Sequence, residues 1–86
     1  MSYPDQVPHY ILVQEVPTTE QLEAIVEAVI QAGFQDVVAT YGPTPHPVSG
    51  TGLTVVLNHA DPERIAWARK CWVNELTRLN FHVTLA

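Results

Sequence analysis

Positive charge is what this chain has least of. Its 86 residues include four lysines and arginines against nine aspartates and glutamates, a formal net charge of -5. All four cations, Arg64, Arg69, Lys70 and Arg78, fall after residue 63, so nothing earlier offers a cation to clamp a phosphate. Nucleic-acid binding relies on basic side chains to displace counterions, and this balance argues against it. Cysteine is scarcer still. Cys71 stands alone, which excludes an internal disulfide and a paired-cysteine metal motif and suits a reducing compartment. No apolar run approaches the roughly 20 residues of a membrane span. The start, "MSYPDQVPHY", has neither the basic stretch nor the apolar segment of a secretion signal. The expectation is a soluble, cytoplasmic protein with no membrane partner. Catalytic motifs are missing as well. Ser49 has no nucleophile-elbow context, and Cys71 falls on a helix away from the expected histidine positions. The chain therefore reads as non-enzymatic and without a cofactor.

What is present is a core. At 47% hydrophobic and 15% charged residues the chain is too apolar for disorder and long enough for one small domain, 1–86, with residues 1–8 expected as a flexible lead-in. "HYILVQEV", His9 to Val16, is β-branched and bounded by prolines, a strand pattern. A helix over about Thr19 to Ala32 follows. Thr18 stands at its cap, with Gln21 in capping-box position and Glu20 in the first turn. Leu22, Ile25, Val26, Val29 and Ile30 recur on one helical face, and Gly33 sits where a left-handed C-terminal cap belongs. Two further strands are expected over Phe34–Tyr41 and Leu53–Asn58, joined by a Pro/Gly-rich loop over residues 42–52. Asp61 caps a second helix with Pro62 at its first position. Ile65, Ala68, Trp72, Leu76 and Leu79 form its apolar stripe, and "FHVTLA", Phe81 to Ala86, closes the chain as a strand.

The order strand, helix, strand, strand, helix, strand is the split βαβ, ferredoxin-like plan of the α+β class. Right-handed crossovers then imply an antiparallel sheet in the order 4-1-3-2 with both helices on one face. The other face meets water or a partner. Alternation puts Tyr10, Leu12, Val38 and Val56 on it, among Thr40, Thr54, Asn58, Gln14, His82 and Thr84. An apolar cluster of that size points to protein contact, most simply with a second copy.

Three other surfaces are candidates for a protein partner. Glu20, Glu23 and Glu27 line the outer side of the first helix with no lysine to relieve them, a negative ridge fit for a basic partner. On the second helix Trp72 belongs to the core, while Trp67 turns nearly opposite, with Arg64, Cys71, Asn74 and Arg78 around it, the composition of an interaction hot spot. The Pro-rich loop is longer than a hairpin needs, and Tyr41 and His46 are its expected recognition residues.

Metal chemistry has one arrangement to offer. His9 begins the first strand at the end of the sheet where His59 ends the third, and Asp61 is close, so three ligands are candidates to converge; His46 and His82 belong to the opposite edge. Phosphatases of the acylphosphatase type share the strand order, but the segment "VPTTEQL" lacks their phosphate-binding arginine. RNA-recognition domains share it too, yet only Tyr10 is available here for stacking. Over the whole plan the chain resembles a small regulatory ACT-type domain, with "PTTE" in place of that family's glycine-bearing turn. The resemblance implies sheet pairing and a small ligand, commonly an amino acid, between copies. The reading that follows is an interaction module, accessory subunit or small inhibitor, such as a virus directs against its host, with an ACT-like sensor and a His9–His59–Asp61 metal protein as alternatives.

Overall fold

A computed structural model describes residues 9–84. The lead-in 1–8 and the last two residues expected in the fourth strand lie outside the described residues. The elements are β1 (Tyr10–Val13), α1 (Thr19–Val29), a π turn (Ile30–Phe34), β2 (Val38–His46), β3 (Gly50–Asn58), α2 (Pro62–Arg78) and β4 (Val83–Thr84). The sheet is antiparallel throughout in the order β2-β3-β1-β4, the expected 4-1-3-2 read from its other edge.

Register explains the layering. Ile11 lies opposite Val55 and Val13 opposite Leu53, while Tyr41 and Pro43 continue those rows on β2. Because side chains alternate along a strand, these odd-numbered residues share one face. Ile11, Val13, Leu53, Val55 and Leu57 are buried there with Ile25 and Val29 of α1 and Ile65, Ala68, Trp72 and Leu76 of α2 in a single cluster. Both helices therefore lie on the odd face. The even-numbered rows, Tyr10–Val56–Thr40 and Leu12–Thr54–Gly42, form the uncovered side.

Both helices begin as the caps predict. The Thr18 hydroxyl accepts from Gln21 N–H, and the Gln21 side chain accepts from Thr18 N–H, closing a capping box. Asp61 accepts from Glu63 N–H with Pro62 behind it. The end of α1 departs from the expected run to Ala32. The helix widens after Val29 into the π turn, which closes at Gly33 with φ of 98°, a backbone state only glycine adopts without strain. Ile30, expected in the apolar stripe, is turned outward by this widening and is exposed.

The larger correction concerns the expected loop over residues 42–52. β2 starts later than Phe34, at Val38, and runs on through two prolines to His46, and β3 begins at Gly50, so only Pro47–Ser49 turn. The physical reason is the sheet edge. Leu57 N–H donates to His9 carbonyl O at 2.7 Å, so the odd residues of β3 bond toward β1 and the even ones toward β2. Pro43 and Pro45 stand opposite odd residues of β3 or in phase with them, and the missing N–H groups of both fall on the free edge. No ladder bond is lost. The prolines also blunt that edge against strand addition.

Candidate functional site

The open face is built from the two central strands and β2. Tyr10, Val38 and Val56 are exposed on it, Leu12 is half-buried between Thr54 and Thr84, and Thr40, Thr44 and Asn58 fill the remaining positions. Among the described residues no charged side chain stands on these three strands' even positions. At a corner of the sheet, His82 N–H donates to the Glu15 carboxylate at 2.9 Å and the His82 ring Nδ1 lies 2.5 Å from its other oxygen. The His82 backbone hydrogen bond, then its side-chain bond, holds the Glu15 carboxyl below the usual range. Between β2 and β3 the face sinks into a shallow hollow of about 280 Å³ walled by Thr40, Thr44, Thr54 and Val56 above Gly42. The hydroxyls of Thr44 and Thr54 bond each other across it at 2.8 Å.

His46 and Tyr41, expected to serve the loop in recognition, part company: Tyr41 is exposed and His46 is not. His46 is buried at the end of β2, where its Nδ1 accepts the Val48 and Ser49 N–H groups at 3.1 and 3.5 Å. Gly52 makes room for it: a Cβ there would press on the His46 ring and overlap the Val13 carbonyl oxygen. Ser49 donates to Gln14 carbonyl O and pins the turn to the end of β1. Tyr41 belongs to the helix side, its ring 6.0 Å from that of Trp72. It borders an apolar groove of about 350 Å³ between α1 and β2, with Val26, Ile30 and Phe34. His46 is thus withdrawn from the surface, while Tyr41 keeps 44% of its surface exposed, on a strand and not on a loop.

On α2 the two tryptophans separate as expected, Trp72 at 1% exposure and Trp67 at 55%. The cations around Trp67 are not the expected ones. Arg64 turns away to donate to Asp36 Oδ1 and Gly33 carbonyl O, each at 2.7 Å, and lies 4.8 Å over the Phe34 ring. Arg78 pairs with Glu75. Lys70 instead lies 5.6 Å over Trp67, and Cys71 and Asn74 line the shallow cleft beside it. Burial, then the Glu75 charge, pushes the Cys71 thiol up, leaving it a poor nucleophile. Glu20, Glu23 and Glu27 are exposed along α1, where Glu27 accepts from Gln31 at 3.3 Å.

The His9–His59–Asp61 metal arrangement does not assemble. His59 Nε2 lies 3.1 Å from Asp36, and its Nδ1 accepts Asp61 N–H at 2.9 Å, so both ring nitrogens are taken. Asp36 is the residue that sequence reasoning missed. It joins the start of β2 to the β3–α2 turn, and the Arg64 hydrogen bond holds its carboxyl below the usual range. Among the described residues no group of three or more metal-ligating side chains converges. The "PTTE" turn likewise spends Thr18 on its cap. No helix among the described residues is long and apolar enough to cross a membrane.

No family model, curated protein or solved structure matches the chain.

Proposed function

We propose that this chain is a non-enzymatic, cytoplasmic interaction module that self-associates through its open sheet face. One observation carries the reading: in a chain of net charge -5, the exposed apolar residues Tyr10, Val38 and Val56 share a sheet face on which, among the described residues, no Asp, Glu, Lys or Arg occupies an outward position of β1, β2 or β3. Two copies meet there without bringing like charges together, and apolar area leaves water. The acidic ridge of α1 stays free for a different, basic protein, as suits an accessory subunit or small inhibitor.

The face is modest in area. Four strands at about 4.8 Å spacing and five residues at about 3.3 Å rise give a patch on the order of 300–400 Å² per copy. Stable interfaces bury about 800 Å² per partner, so the association is weak and concentration-dependent. Sedimentation velocity from micromolar to millimolar protein tests it. The native chain shifts from monomer to dimer over that range, and Val56→Lys, which places a cation on the face but none in the core, stays monomeric with an unchanged circular dichroism melt. A native chain that remains monomeric throughout overturns the reading.

A further inference from the structure

Gly42 is a glycine without a backbone reason. The described glycines with positive φ are Gly33 and Gly50, and a Cβ built on Gly42 meets nothing within 4 Å. A strand interior ordinarily disfavours glycine, which gives up packing and conformational entropy there. Its bare Cα lines the hollow of about 280 Å³ in the open face, into which a side chain at this position would extend. Tyr10 projects from the same face two strands away, 41% exposed.

We infer that the hollow over Gly42 is the socket for Tyr10 of a second copy, and that two such ring-in-socket contacts, made reciprocally about a two-fold axis, fix how the open faces dock. This rests on the self-association proposed above and specifies its geometry. The geometry is self-consistent. Tyr10 and Gly42 are separated by two strand spacings and one side-chain repeat, roughly 12 Å on the face. For any knob and socket on one flat face, a two-fold axis in the plane of contact along their perpendicular bisector seats each knob in the other copy's socket. That bisector crosses β3 between Thr54 and Val56, the side chains that lie between the two positions in the register. The contact is therefore centred on uncharged residues, and the Glu15–His82 corner stays outside it. A tyrosine suits the knob because its ring is large and rigid and its hydroxyl is left a partner at the threonine-lined rim.

The test compares dimer dissociation constants by sedimentation velocity for the native chain, Gly42→Val, Gly42→Leu, Tyr10→Ala and Val56→Lys. Either Gly42 variant fills the socket without touching the monomer's packing, so both keep the native circular dichroism spectrum and lose dimer by at least about tenfold, and Tyr10→Ala, which removes both rings of the symmetric pair, weakens it by about a hundredfold, about tenfold for each ring. The deciding sample is an equimolar mixture of Gly42→Val and Tyr10→Ala. One copy supplies a knob, the other an empty socket, and neither clashes, so the mixture forms a heterodimer tighter than either variant alone. Undiminished dimerisation of both Gly42 variants, while Val56→Lys is monomeric, overturns the socket and leaves the face in use. A native chain monomeric at every concentration overturns both.

Discussion

Truncating Trp72 measures whether α2 is oriented as described, because the helix carries two tryptophans in opposite environments. Trp72 is 1% exposed, the largest fully buried side chain among the described residues, and its ring centroid lies 6.0 Å from that of Tyr41 with the planes tilted at 52°. Trp72→Ala removes that ring from the centre of the cluster formed by both helices and the sheet, which costs about 3–5 kcal/mol in lost transfer energy and cavity. For a domain of this size each kcal/mol lowers the melting temperature by about 4–8 °C, so the expected drop is roughly 12–40 °C. Trp67 is 55% exposed with only Lys70 lying over it. Its truncation forfeits part of a ring's packing and an exposed cation–π contact of about 0.5–1 kcal/mol, so Trp67→Ala is expected to stay within about 1 kcal/mol of the native chain. Urea unfolding followed by far-ultraviolet circular dichroism compares the two without relying on tryptophan emission. Equal losses, or a larger loss for Trp67→Ala, refute the assignment of the helix faces.

Gly52→Ala forces a Cβ into the Val13 carbonyl oxygen and the His46 ring; the expected loss is about 2–3 kcal/mol by urea titration, and a loss below about 0.5 kcal/mol refutes the described hairpin packing. Glu15 titrates lower in the folded chain than in the unfolded one, so its stabilisation is complete above the ordinary glutamate value of about 4.3 and is lost as pH falls through its lowered folded value. Urea midpoints for Glu15→Gln accordingly fall less than those of the native chain between about pH 5 and pH 3, and parallel acid limbs contradict the role of the His82 contact.

Local chemistry made most of the elements legible. Thr18 with Gln21, and Asp61 with Pro62, mark helix starts by hydrogen bonds that span three residues or fewer, and the apolar period of α2 picks Trp72 over Trp67. The β2–β3 hairpin extends into the expected Pro/Gly-rich loop because an edge strand tolerates proline wherever the missing N–H points outward. The spacing carried that signal: Pro43 and Pro45 are in phase, as a strand with one unpaired side requires. The partners of Arg64 were not legible at all. Asp36 and Gly33 lie 28 and 31 residues away in sequence, and only the packed fold brings the π turn beside the first turn of α2. His46 was beyond reach for the same reason, since its burial depends on the bare backbone of Gly52 across the ladder.

The placement of the few cations bears on which partner fits which surface. Arg64 is spent on Asp36, Arg78 on Glu75, Arg69 on the Tyr10 carbonyl at 3.4 Å, and Lys70 lies over Trp67. All of them stand on α2, on the helix side of the molecule. A second copy thus has no cluster of spare cations to set against Glu20, Glu23 and Glu27, and two copies approaching ridge to ridge meet only repulsion. The sheet face is where that repulsion is weakest. The ridges stand behind the sheet layer there, and at physiological salt, where the Debye length is about 8 Å, charges held behind two stacked sheets about 10 Å apart are largely screened. The proposed contact between copies at the sheet is accordingly expected to be insensitive to salt or strengthened by it, and a basic protein on the α1 ridge to bind more weakly as salt rises. The two proposed contacts are thus expected to respond to salt in opposite senses, and neither would use the other's side of the sheet.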